Sequence, residues 1–375
     1  MDDRSTLDHR EHIEALAWPD AARWAGRRVL VTGHTGFKGS WLSHWLSLMG
    51  AKVHGLALEP DAGGHFERAA TARHLASDTR CDIRDAQMVQ TVVQRVQPDV
   101  VFHLAAQALV RPSYDDPLST LSTNAMGTAH VLQACRELPN LRAVVVVTTD
   151  KCYQNMGLPW PYRETDRLGG HDPYSASKAC AELVTACFAQ SYFQDGPRVA
   201  TARAGNVIGG GDVCGDRLLP DAFRAWDKGV PLAVRHPNAV RPWQHVLDAL
   251  GAYLVLAQAL DSPDLCLADA YNFGPTEDAP WPVWRVLEAA EAAWGTALQK
   301  LLSPSDLQRP EAVGLRLDAS MAMRDLHWRN RLGTGEAIEW TVEWERALRQ
   351  GKSATDITAQ QIDRLMAIKE PNHGA

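Results

Sequence analysis

Hydrophobic residues arrive along this chain in two alternating rhythms. Short hydrophobic runs occur at Val29 to Val31, Val53 to Leu58, Val100 to Leu104 and Leu141 to Val147, and Thr201 to Ala204 reads as a further short strand. Between them lie segments with apolar positions at helical spacing, such as Ala86 to Val96, closed by Pro98, and Thr123-Asn124 onward to Arg136. A strand apolar at every position must be covered on both faces, as in a parallel sheet. The alternation therefore predicts an α/β fold with a doubly wound parallel sheet. Pro60 to Ser77 reads as a loop or short helix, and Arg80 to Asp85 as the end of a third strand.

Beyond Gly209-Gly210-Gly211 the rhythm breaks. Pro, Trp and Arg become frequent, strands shorten, and helices such as Val246 to Leu260 and Trp281 to Trp294 dominate. This gives a polar lead-in over 1–25, with a possible helix from Glu11 to Leu16, and a Rossmann domain over 26–206. Residues 207–375 then form mainly a smaller substrate-binding domain, with the chain crossing back to the sheet within 240–275, near Ala270 to Phe273. Trp340 and Trp344, four apart in the helix-period stretch Ile338 to Lys352, predict packing on one helix face.

The first strand runs into Gly33-His34-Thr35-Gly36-Phe37-Lys38-Gly39, and a helical segment follows. Glycines between a strand and a helix let the backbone turn tightly and bring N–H groups, with the positive end of the helix, to a pyrophosphate. An ordinary Gly-rich turn gives the same spacing; the flanking strand and helix favour a dinucleotide. His34 is bulky for such a loop and either contacts the dinucleotide or loosens it.

Composition narrows the setting. The 375 residues carry a net charge of −7, giving no reason to expect a nucleic-acid or membrane surface. No apolar run reaches the roughly 18 residues of a bilayer span, and the acidic, mixed N-terminus lacks a secretory pattern, so the cytoplasm is expected. Seven cysteines without a C-x-x-C pair read as buried free thiols, and fourteen histidines without ligand spacing predict no metal.

Tyr174-Ser175-Ala176-Ser177-Lys178 sets a phenol and an ammonium four residues apart, on one helix face. A neighbouring cation favours the phenolate and predicts a Tyr174 pKa lowered from about 10, suiting a general base for a sugar hydroxyl. Y-x-x-x-K is common by chance. Its weight comes from the glycine loop upstream and from the strand that ends in Thr148-Thr149-Asp150-Lys151, since ligands of open parallel sheets lie beyond the carboxyl ends of the strands.

The segments GHTGFKG, LAAQALVRPSYDDPLSTLSTN, TTDKCYQN, YSASK, ARAGNVIGGGD, DRLLPD and RPWQHV stand in the order of the extended short-chain dehydrogenase/reductases. Within that group the chain most resembles the CDP-glucose 4,6-dehydratases, from roughly residue 22 to residue 350. The resemblance implies a lyase that oxidises C4 of a nucleotide-linked hexose, removes water across C5 and C6, and returns the hydride to C6. It implies Tyr174 and Thr149 at the 4-hydroxyl and Lys178 at the nicotinamide ribose. Asp150 is implied as the acid for the departing 6-hydroxyl, which calls for a desolvated pocket. Lys151 stands where relatives carry Glu, and its role stays open.

By the same resemblance Gly33, Gly36, Phe37, Lys38 and Gly39 form the phosphate loop, Asp82 and Ile83 meet the adenine, and Ala105, Ala106 and Gln107 line the inner ribose. Asn124 steadies the sheet against the Tyr-Lys helix, and Val207 is a further cofactor neighbour. Asn206, Arg217 and Arg241 are implied at the substrate. NAD is the expected cofactor: Lys38 suits the 2′-phosphate of NADP, whereas Glu59 and Asp61 repel it. A homodimer is implied as well. A GDP-mannose or dTDP-glucose dehydratase, a nucleotide-sugar 4-epimerase and a non-catalytic dinucleotide sensor are the competing readings.

Overall fold

The computed structural model describes residues 18–276, 281–303 and 314–368. The expected helix over Glu11 to Leu16 lies outside them.

Strand β1 (Arg28–Thr32) enters α1 (Phe37–Leu48) through the glycine loop, and β2 (Lys52–Ala57) follows. Then come β3 (Ser77–Arg80), α2 (Ala86–Val96), β4 (Val100–His103), α3 (Gly127–Cys135), β5 (Ala143–Val147), α4 (Pro173–Tyr192) and β6 (Arg198–Ala204). The third strand stops at Arg80; Cys81 to Asp85 is loop, and Asp85 caps α2 by accepting from the Met88 N–H. In α2 the buried residues are Val89, Val92, Val93 and Val96, one apolar stripe at helical spacing, and Gln97 ends the helix in the left-handed region before Pro98.

Past β6 come α5 (Leu218–Lys228) and short strands outside the seven-stranded sheet, here termed the smaller lobe. Helix α6 (Val246–Leu260) follows, and β7 (Ala270–Phe273) pairs in parallel with β6 before α7 (Val283–Trp294), α8 (Thr334–Arg349) and α9 (Ala354–Ala367). The seven strands are all parallel in the order β7-β6-β5-β4-β1-β2-β3. Helix α6 is buried at all fifteen positions because it lies between the sheet and α1.

Two apolar layers flank the sheet. One joins Trp41, Trp45 and α6 to the C-terminal helices; the other joins α2 and α3 to the opposite face. Trp340 and Trp344 are both buried, and Trp344 donates to Thr358 Oγ1 at 3.1 Å, so the pair packs α8 against the core and α9. All seven cysteines are free; Cys81, Cys135 and Cys152 are buried, whereas Cys187 and Cys266 are exposed.

Candidate active site

The site lies where the parallel strands end. Asp172 caps α4 by accepting from the Ser175 N–H at 2.9 Å, and Pro173 takes the first helical position, where its missing N–H costs nothing. These two residues fix where the helix starts. Tyr174, Lys178 and Glu182 thus form one row on its buried face. On the facing side β5 runs out into Thr148, Thr149, Asp150 and Lys151.

A cleft of about 300 Å³ collects Phe37, Lys38, Thr149, Lys151, Tyr174, Asn206, Val207, Arg217 and Arg241 from the glycine loop, the sheet and the smaller lobe. Asp150 sits directly behind it and is fully buried. Its Oδ1 accepts from Thr149 Oγ1 at 3.0 Å and from Lys151 Nζ at 3.2 Å, and its Oδ2 has no partner among the described residues. A buried carboxylate oxygen without a donor is costly unless something else supplies the proton or the bond. The buried Asn206 Oδ1 is likewise unpartnered among the described residues, beside the cleft.

The titration of Tyr174 departs from expectation. Burial pushes the phenol up to about 12, and the hydrogen bond with Thr149 opposes that rise only in part. Lys178 does not reverse it: its Nζ donates to the Val147 carbonyl at 3.1 Å, and burial draws its own pKa down to about 8. Spacing alone shows two groups on one face; it does not show how much water their burial removes.

The machinery that positions these groups is a finding of the structure, beyond what the motifs indicate. Glu182, one helical turn past Lys178, accepts from Thr201 Oγ1 at 2.8 Å and Arg203 Nη2 at 2.7 Å, and from the Thr148 hydroxyl. Arg203 also donates to Tyr153 Oη at 2.8 Å. This buried network ties β6 and α4 to both ends of the Thr149-Asp150-Lys151 turn. The four-residue repeat Tyr174, Lys178, Glu182 is the signal in the sequence that points to it. Asn124 exchanges hydrogen bonds with the Gln107 backbone and donates to Ser177 Oγ at 2.7 Å. Arg217 is held by Asp212 at 2.7 Å.

The glycine loop fits a dinucleotide pyrophosphate. Gly33 has φ +75°, and a Cβ there would lie 2.7 Å from the Ala105 nitrogen; one on Gly39 would lie 2.1 Å from the Gly33 carbonyl. Gly36 begins α1 without a side-chain cap, so the first-turn N–H groups are offered to an anion. Ala105, Ala106 and Gln107 follow β4 beside this loop, and Asp82 and Ile83 follow β3.

Two loop residues correct the expectation. The His34 ring is wholly buried, its Nε2 is 2.8 Å from Asp78 Oδ1, and Phe66 packs edge-on against it. It anchors the loop to β3 and leaves no side-chain surface for a cofactor. Lys38 does not reach the ribose end; it lines the cleft and donates to Tyr253 Oη at 3.3 Å, with its pKa pushed down to about 7 by burial and then by Lys178 and Arg217. At the ends of β2 and β3, Arg80 is engaged by both Glu59 and Asp78, which disfavours a 2′-phosphate.

Known proteins resemble this chain in sequence and in fold. The family model described as GDP-mannose 4,6 dehydratase matches residues 30–341. A CDP-glucose 4,6-dehydratase of Salmonella typhimurium is 41% identical over 350 residues, covering 92% of this chain and 97% of that protein. A Thermus thermophilus UDP-glucose 4-epimerase, solved as a complex with NAD, superposes with a TM-score of 0.72 at 29% identity, covering 84% of this chain and 98% of that one. A dTDP-glucose 4,6-dehydratase from Bacillus anthracis str. Ames, in complex with NAD, shares the fold with a TM-score of 0.71 at 22% identity, over 84% and 95% of the two chains. With the glycine loop, the Tyr-Lys helix and the strand-end Thr-Asp-Lys turn gathered around one cleft, this chain belongs to the GDP-mannose 4,6-dehydratase family.

Proposed function

We propose that the chain converts CDP-glucose to CDP-4-keto-6-deoxyglucose, as an NAD-dependent nucleotide-sugar 4,6-dehydratase. The observation that carries this reading is the convergence of Thr149, Asp150, Lys151 and Tyr174 at one cleft, beside a loop shaped for a pyrophosphate. The 41% identity to the Salmonella typhimurium enzyme along nearly the whole chain supports the nucleotide.

NAD, when bound, supplies a reversible hydride acceptor and a positive nicotinamide ring. Tyr174 takes the proton of the 4-hydroxyl while Thr149 orients it. A phenol raised to about 12 does this only when cations of the assembled cleft favour its ionised form. The resulting 4-ketone acidifies C5–H, and loss of that proton with departure of the 6-hydroxyl forms the C5–C6 double bond. Asp150 protonates the leaving hydroxyl in this reading; its burial behind the cleft and the second oxygen, unpartnered among the described residues, support that role. Lys151, bonded to Asp150, shares that edge of the cleft, with its own role open. Arg217 and Arg241 offer guanidinium forks for the diphosphate.

A 4-epimerase has no use for an acid behind Thr149, and the buried Asp150 argues against one. The family reading also includes a homodimer formed through α4 and the helical stretch that bears Asn124; exposed Leu183 and Met126 on these elements support such a face. No described helix is long and apolar enough to cross a membrane, and a cytoplasmic setting is proposed on the reaction. Incubation of the purified chain with CDP-glucose and NAD tests the proposal: a product lighter by one water supports it, and unchanged or merely epimerised substrate rejects it.

A further inference from the structure

Asp216 stands apart from the other acidic residues of the cleft. It adopts φ +60°, in the left-handed region that Asp tolerates better than most side chains. That bend gives adjacent residues different partners. Arg217 turns to Asp212, whereas Asp216 Oδ1 accepts from Arg235 Nη1 at 3.1 Å, with Arg111 Nε 3.9 Å from the same oxygen. Asp216 and Arg235 both line the cleft and are only partly buried, with side chains 44% and 26% exposed, so a ligand can reach them. Arg235 follows the short strand Leu232–Val234 of the smaller lobe, on an element unconnected to the Thr149 turn or to Tyr174.

A nucleotide sugar is linear: hexose, diphosphate, ribose, base. Resting on the proposed function, the hexose lies at Thr149 and Tyr174 and the diphosphate at Arg217 and Arg241. The base then falls to the smaller-lobe wall, where a carboxylate and a guanidinium lie side by side. We infer that Asp216 and Arg235 read the pairing edge of cytosine: the carboxylate accepts from the 4-amino group, and the guanidinium donates to N3 and O2.

Cytosine presents donor, acceptor, acceptor along that edge. The Asp216–Arg235 pair presents acceptor, donor, donor, the same order as guanine. Uracil and thymine place O4 against the carboxylate and N3–H against a guanidinium N–H, two mismatches in three positions. Guanine itself sets O6 against the carboxylate. Against uracil, thymine and guanine the pair therefore rewards cytosine and rejects the alternative through unpaired or repelling groups.

Titration of the NAD-loaded protein with CDP and UDP tests this apart from turnover. The expected wild-type result is a Kd for CDP at least about tenfold below that for UDP. Asp216→Asn, whose amide can turn either atom to the base, is expected to shrink that ratio at least fivefold while NAD affinity is retained. Arg235→Gln, a second variant in case the first does not fold, is expected to do the same. Equal wild-type affinities, or variants that weaken both nucleotides equally and so mark the pair as a mere phosphate grip, overturn the inference. A protein that discriminates the nucleotides yet releases no dehydrated sugar keeps the inference and refutes the proposed function; dehydration of CDP-glucose with an unchanged ratio in the variants does the reverse.

Discussion

Replacing Glu182 removes the charge at the centre of the network behind the catalytic turn. Its carboxylate and the Arg203 guanidinium are 2.7 Å apart, with side chains 3% and 5% exposed, so neither ion can recover hydration in place. Breaking one side of such a pair costs about 3–5 kcal/mol, because the other charge stays buried and uncompensated. Glu182→Ala is therefore expected to lose stability in that range, read as a fall in the urea midpoint. Glu182→Gln keeps one acceptor oxygen, and its NH2 can donate to the second threonine hydroxyl, so it is expected to lose less, yet it reports on chemistry as well. Burial lowers the Lys178 pKa to about 8 while Glu182 works in the opposite direction, so the neutral amide lets it fall further. If the Lys178 cation is needed, activity falls as pH rises through its pKa, and that falling limb moves to lower pH in Glu182→Gln. Stability of the Ala variant within about 1 kcal/mol of the parent, together with an unmoved limb in the Gln variant, refutes the reasoning.

Tyr174→Phe keeps the ring in its buried slot and removes only the hydroxyl; turnover is expected to drop about 10²–10⁴-fold with an unchanged unfolding transition, measured by product formation and circular dichroism. Asp150→Asn leaves oxidation possible and removes the acid, so mass spectrometry is expected to find a nucleotide sugar short of two hydrogens in place of one short of water. Gly33→Ala forces a Cβ to 2.7 Å from the Ala105 nitrogen at φ +75°, and fluorescence titration is expected to show loss of dinucleotide binding.

Much of the fold is legible in the chain because the sheet is parallel and buried on both faces. Val144 to Val147 has no polar side chain to alternate, and the glycine loop takes its meaning from the strand before it and the helix after it. The helix bearing Tyr174 is equally legible, since Asp172 and Pro173 announce its start. Side-chain direction is not. His34 and Lys38 sit in one loop, yet one turns under it to Asp78 and the other into the cleft toward Tyr253, a choice made by β3 and α6. The Tyr174 titration runs opposite to the sequence-based expectation for the same reason: four-residue spacing shows a neighbour, whereas burial is a property of everything packed around both groups. Arg203 reads as an ordinary strand residue until Glu182 and Tyr153 are brought to it by the fold.

The central claim is that one cleft oxidises C4, expels the 6-hydroxyl and delivers the C4 hydrogen to C6 of the same sugar. CDP-glucose carrying deuterium at C4 tests it directly. The account predicts a product lighter by water, with the deuterium at C6 and no net consumption of NAD. Deuterium retained at C4, or lost to solvent, contradicts it.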